Sequence, residues 1–308
     1  MAVLFVFVDG LGLGEPDPEK NPLMHARMPH LAELTGLRRL TMSDVPHRSA
    51  LAEVWPIDAC LGVPGLPQSA SGQTAILTGK NAPAILGHHQ SGYPTPTLIR
   101  ILEEHSLFLQ LKELGRSGTF ANTFTREYFE RAESRAGRNR HSATTTAALS
   151  GGVELGLIDS YAVGETISYD ITGEVLRSFG YPVEIRSPQE SGRILARLLR
   201  KYDFVLFEFF LTDRAGHKQD MEEAITLFER IDGLIGGILE EMRWSDDTLL
   251  ITSDHGNVED LSTRTHTRNP VPAIVAGAGR HRFVEQVQDL TDLTPAILQQ
   301  VAAMDQAK

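Results

Sequence analysis

Three apolar runs in this 308-residue chain lead directly into side chains that can bind a cation. VFVDG ends in Asp9, FFLTDRAGH carries Asp213 and His217, and ITSDHGN carries Asp254 and His255. One aspartate after a strand is ordinarily a turn former or helix cap. Three strand ends of this kind, two with histidine nearby, point to metal chemistry instead. Asp213 and His217 are four apart, so on a helix they share one face and can reach one ion. Gly256 follows Asp254 and His255 and lets the chain turn so that both aim at one place. The segment THTRNPVP adds His266 on a loop before another apolar run; a single loop histidine is ordinarily a surface residue.

A nucleophile is available in LPQSASGQTAILTG. Small residues before an apolar stretch place Ser69 at the start of a helix. The structural alternative is an N-cap serine, and Ser71 competes for that role. A helix N-terminus offers free N–H groups and a positive dipole end, which favour both a serine alkoxide and a phosphoryl group. Serine needs activation, which direct coordination to a metal supplies.

The elements that must hold these residues follow from periodicity. Residues 2–8, 203–211 and 248–253 read as strands buried on both faces. Residues 272–277 and 118–124 are weaker strand candidates, and 183–187 is a possible edge. Helical spacing appears in TLIRILEEHSLFLQLKELG, SGRILARLLRKY, MEEAITLFERIDGLIGGILEEM and LTDLTPAILQQVAAM. This alternation predicts an α/β fold, a doubly wound, mostly parallel sheet with helices on both faces. Ligands of such sheets gather beyond the carboxyl ends of the strands, where the candidate residues stand. Residues 1–308 read as a single domain, with a small inserted lid at about 126–181.

Composition sets outer bounds. An apolar fraction of 41% allows a sizeable core, and one cysteine, Cys60, permits no internal disulfide, in keeping with a cytoplasmic protein. The opening run has no basic residue before it and ends at Asp9, so it reads as a buried strand rather than a secretory signal. No stretch approaches the ~20 apolar residues of a membrane span. A net charge of −11 argues against nucleic acid and anionic membrane as partners. Bound cations can still make an acidic protein locally electropositive.

The order Asp9, a serine opening a helix, DxxxH, DHG and a late histidine resembles the alkaline phosphatase superfamily. SDHGNVED and HTRNPVP are most similar to the branch of cofactor-independent phosphoglycerate mutase and phosphopentomutase. The resemblance covers the first 80 residues and roughly 200–280. It implies two divalent metal ions, one held by Asp213, His217 and His266, the other by Asp9, Asp254, His255 and the Ser69 oxygen. It favours Ser69 over Ser71, because SASGQTAILTG matches the family's nucleophile segment without gaps. Mixed carboxylate and imidazole sets suit Zn²⁺ or Mn²⁺ better than Mg²⁺ or Ca²⁺. The implied reaction is phosphoryl transfer through a phosphoserine, with the ion pair stabilising entering and leaving oxygens. The substrate would be a small phosphorylated metabolite, hydrolysed or isomerised.

Two features depart from that pattern. The large second domain of the mutases is missing, which separates the motif from specific mutase activity. The Pro and Arg that follow the modified residue in sulfatases are also absent, since Ser69 precedes Ala70, Ser71, Gly72 and Gln73. Arg126, Arg131, Arg135, Arg138 and Arg140 could pair with a phosphate, but glutamates interleave them as on a solvated helix face. His88 and His89 are further loop candidates. A phosphodiesterase, or a metal-binding but catalytically idle regulatory module, is the alternative reading.

Overall fold

A computed structural model of the chain describes residues 2–134 and 141–303. Among the described residues seven strands form one sheet: β1 Val3–Val8, β2 His47–Arg48, β3 Ala52–Ile57, β4 Gly118–Phe120, β5 Phe204–Phe209, β6 Thr248–Thr252 and β7 Val271–Gly277. Their order is β2-β3-β7-β6-β1-β5-β4. The expected α/β layering is present, and the sheet is mixed. β4, β5, β1 and β6 run parallel, whereas β7, β3 and β2 join on the β6 side by antiparallel pairing.

β1 and β5 are buried at every position. They read as unbroken apolar runs because helices cover both faces. Leu4, Val6 and Val8 pack with the helices Pro188–Leu198 and Met221–Glu241. Val3, Phe5 and Phe7 pack with Ser69–Thr78, Ala143–Ser150 and Leu293–Ala302. Deleting one of these buried phenylalanine side chains would cost about 3–5 kcal/mol.

Register decides where the chemistry sits. Val8 of β1 stands beside Phe209 of β5, and Phe7 stands beside Thr252 of β6. Two residues beyond Phe7 and Thr252, Asp9 and Asp254 leave the sheet at the same height. The Asp9 amide still donates to the Phe209 carbonyl at 2.9 Å. Parallel pairing thus carries all three acidic strand ends to one rim.

Two expectations need correction. Residues 183–187 form no strand. Their backbone is held instead by the Arg186 amide donating to Thr172 and by the Tyr161 hydroxyl donating to Glu184. The segment 126–181 is also not one lid, because Ala143, Ala147 and Ala148 of the helix Ala143–Ser150 lie in the second core. A separate small cluster, Tyr161, Leu176 and Val183 with Ile158 and Tyr181, forms the part that stands apart from both cores. Arg186 lies 3.9 Å over the Tyr161 ring and fastens it. No helix among the described residues is long and apolar enough to cross a membrane.

Candidate metal centre

The chain makes its first ligand turn immediately after β1. Gly10 takes a left-handed φ of 75°, and a Cβ there would lie 2.8 Å from the Cβ of Asp213. Only glycine lets the Asp9 turn approach the Asp213 helix this closely. Asp213 falls in the first turn of the helix Leu211–Lys218 and His217 in its last, so the four-residue spacing is helical as the sequence implied. His217 Nε2 lies 3.3 Å from Asp213 Oδ2, and His266 Nε2 lies 3.5 Å from Asp213 Oδ1.

Both imidazoles are oriented through their other nitrogen. His217 Nδ1 is 2.7 Å from the Arg264 carbonyl, and His266 Nδ1 is 2.7 Å from the Pro67 carbonyl. A carbonyl can only accept, so each Nδ1 carries the proton and each Nε2 presents a lone pair. These two Nε2 atoms are 3.2 Å apart. Lone pairs facing each other at that distance repel, and a cation between them removes the conflict.

The remaining candidates gather around His255. Its Nε2 is 3.0 Å from Ser69 Oγ, 3.3 Å from Asp9 Oδ1 and 3.5 Å from Asp254 Oδ2. Asp254 and His255 are 0% exposed. The His255 ring stacks on His266 at 3.7 Å, which joins the two groups. All seven side chains singled out from the sequence therefore meet in one place. Two clusters have ligand spacing, Asp213 with His217 and His266, and Asp9 with Asp213 and His255. Asp213 belongs to both, where the sequence reading placed it in one.

Ser69 opens the helix Ser69–Thr78, and Gln68 is the cap, so Ser69 is not an N-cap serine. Ser71 is engaged elsewhere: its hydroxyl donates to the Gln68 carbonyl and accepts from the Gln90 amide. Of the amides in this helix's first turn, Ser71 donates to the Gln90 carbonyl and Gly72 to the Gln68 carbonyl, which leaves those of Ser69 and Ala70 as donors beside the Ser69 hydroxyl.

Electrostatics favour cations here. Burial, then repulsion by Asp254 and Asp213, raises the Asp9 carboxyl well above its usual range. Burial and Asp213 push Asp254 up to about 7. Burial, then the neighbouring His266, drives His255 down to about 3, so it stays neutral and able to ligate. Buried carboxylates crowded together are stable as anions only with compensating charge. Asp9 Oδ1 has no hydrogen-bond partner among the described residues. The donor set therefore fits divalent cations bound by oxygen and imidazole nitrogen.

Sequence reasoning missed the residues that fix these ligands. Gln73, one turn after Ser69, donates to Asp9 Oδ2 at 3.3 Å and to Asp254 Oδ2 at 3.2 Å. Asn257 donates to Asp213 Oδ1 at 2.6 Å. Glu259 is buried and accepts from the amides of Gly12 and Asn257 and from the side chains of Thr267 and Asn269. One carboxylate thus ties the Asp9, Asp254 and His266 loops together. Glu208 on β5 is a further buried acid, bonded to Thr144 at 2.8 Å and raised to about 7 by burial.

A cavity of about 680 Å³ opens above this floor, with Ser69, Asp9 and Asp213 at its base. Among the described residues, aromatic side chains share its walls with Asn122, Thr125, Ser142 and Thr145, and Arg131 and Arg214 are the cationic lining residues. Arg126 is exposed, and Arg135, Arg138 and Arg140 lie outside the described residues. His88 and His89 do not line the cavity and instead contact backbone carbonyls of Leu86 and Val63.

Residues 1–305 match the family model of the Metalloenzyme superfamily. The chain belongs to the metalloenzyme superfamily. Among its relatives is 2,3-bisphosphoglycerate-independent phosphoglycerate mutase 2 of Methanosarcina acetivorans, 32% identical over 141 residues, which cover 44% of this chain and 23% of that one. The corresponding mutase of Thermococcus kodakarensis is 31% identical over 125 residues, 38% of this chain and 30% of the relative. The matches therefore span under a third of these mutases' length. A Pyrococcus horikoshii protein superposes with a TM-score of 0.58 at 15% identity, covering 97% of this metalloenzyme and 96% of its own chain. A cold-active alkaline phosphatase from Shewanella sp. gives 0.55 at 13% identity, covering 98% and 100%. These likenesses show a shared fold.

Proposed function

We propose that this metalloenzyme transfers phosphoryl groups from small phosphomonoesters to water, with Ser69 as the covalent nucleophile. The observation that carries this reading is Ser69 Oγ, at a helix N-terminus, 3.0 Å from His255 Nε2 and beside Asp9 and Asp254. Asp213, His217 and His266 would hold one divalent ion, and Asp9, Asp254, His255 and Ser69 the other, with Asp213 between them. Bound there, the ions would act as Lewis acids for the attacking and leaving oxygens.

The chain's own groups supply the rest. The helix Ser69–Thr78 points the serine oxygen at the cavity, and the amides of Ser69 and Ala70 offer donors to phosphoryl oxygens. Gln73 keeps Asp9 and Asp254 in place by bridging both. Arg214, at the cavity wall, is positioned to pair with a remaining phosphate oxygen. The names of the relatives, phosphoglycerate mutases and an alkaline phosphatase, support the reaction class. Hydrolysis is the reading taken because one ligand of the proposed centre, the 47% exposed His217 side chain, is open to water.

The test is a screen of phosphomonoesters, diesters and sugar phosphates with Mn²⁺ and Zn²⁺, followed by mass spectrometry of the quenched protein. Phosphate on Ser69 is expected, with turnover falling at least about 10³-fold in Ser69→Ala. A phosphopeptide mapping to Ser71, or turnover without any covalent intermediate, would remove Ser69 from its role. Isomerised rather than hydrolysed product would move the enzyme to the mutase class.

A further inference from the structure

The cavity walls do not match a small polyanion. Tyr169 and Phe210 stack at 4.8 Å with 31° between their planes, and Phe124 faces the same space. Tyr93 and Phe179, 55% and 65% exposed, stand at its lining. Large aromatic side chains left open to water around a concave site are characteristic of a surface that a ligand covers. A volume of about 680 Å³ falls within the ~300–1,000 Å³ range of cavities that enclose ligands larger than a three-carbon acid. Charge agrees. Asp9, Glu208 and Asp213 line the floor, while the walls contribute Arg214 and Arg131, the latter donating to the Glu127 carbonyl at 3.1 Å. With Arg214 given to the phosphate, Arg131 is the cation left at the wall among the described residues.

We propose that the substrate is a phosphomonoester whose alcohol portion carries a flat apolar ring, seated against Tyr169, Phe210 and Phe179. This rests on the phosphoryl-transfer reading of the floor. Aromatic faces take a ring in offset or edge-on contact, and one such contact discriminates by about tenfold, or ~1.4 kcal/mol.

Aryl esters are unsuitable probes because their leaving groups are intrinsically better. 2-Phenylethyl phosphate and ethyl phosphate leave as similar alkoxides and differ in the ring alone. With the Mn²⁺- or Zn²⁺-loaded protein, kcat/KM should be at least about tenfold higher for 2-phenylethyl phosphate than for ethyl phosphate or 3-phosphoglycerate. Calorimetry should show the same preference for 2-phenylethylphosphonate over ethylphosphonate, without any turnover being needed. Tyr169→Ala with Phe179→Ala should bring both ratios close to one, and Phe179→Ala alone, at an exposed position, checks that folding is not the cause. Equal binding of the two phosphonates, or a preference for 3-phosphoglycerate, overturns the substrate class. Ring-selective phosphonate binding with no ester turned over and no phosphate on Ser69 upholds the ring-binding wall while removing the proposed reaction.

Discussion

Asp254 and His255 have no exposed surface, and Glu259 binds three loops around them through four hydrogen bonds. The aromatic wall opposite is built differently. Phe179 is 65% exposed, and Leu176, whose carbonyl accepts from the Phe179 amide, belongs with Tyr161 to a small cluster fastened by Arg186. The rim is dictated by strands that cannot slip without unmaking the core. Phe179 belongs to neither main core, so this part of the wall can change without disturbing the sheet. Chemistry resides in the first region and, on the reading above, selectivity in the second.

The largest test of this division is Asp213→Ala. A carboxylate common to both ligand clusters should, when removed, empty the centre and lower turnover by about 10⁴-fold or more. Metal content of the purified variant checks this. Retention of two ions per chain would show that the rim does not depend on Asp213. Glu259→Gln should act less strongly, lowering metal affinity by about 10–100-fold, because the amide turns a donor toward groups that themselves donate. A falling melting temperature with unchanged metal affinity would reduce Glu259 to a structural tie.

Protonation offers a third test, on chelated protein. Asp9, Asp254 and Glu208 hold protons in the folded state that an unfolded chain releases above pH about 4. Stability should therefore fall as pH rises from about 4 toward 7. His255, lowered to about 3, acts oppositely up to about pH 6.5, so the net fall is steepest near neutrality. Saturating divalent cation should remove the Asp9 and Asp254 share of this slope in thermal melts and leave that of Glu208, which is in neither ligand set. A flat profile without metal would mean that the acids are not crowded in solution. The smallest effect belongs to the wall. Arg186→Ala removes a cation–π contact worth ~0.5–1 kcal/mol and should raise KM for a ring-bearing ester by about threefold, with ion content unchanged.

Legibility divides along the same line. Asp9, Asp213, His217, Asp254 and His255 could be read because buried parallel strands announce themselves as apolar runs, and their ends are the ligand positions. Strand β3 could not, because Glu53 and Pro56 break the apolar pattern and Pro56 stands opposite Pro272 in an antiparallel pair. The supports Gln73, Asn257 and Glu259 were hidden for another reason. Their role lies in whom they touch, and only the i+4 spacing of Gln73 from Ser69 gave a local hint. The wall was least legible of all. Tyr93, Phe124, Tyr169, Phe179 and Phe210 are scattered through the chain and meet only after folding.

The level exit of Asp9 and Asp254 from neighbouring strands makes ion uptake a check on assembly. Shifting β1 by a single residue against β6 would swing the aspartate into the opposite helix layer. A refolding chain that captures its cations has therefore already aligned its central strands correctly. Ion capture timed against tryptophan fluorescence would show when that alignment is reached.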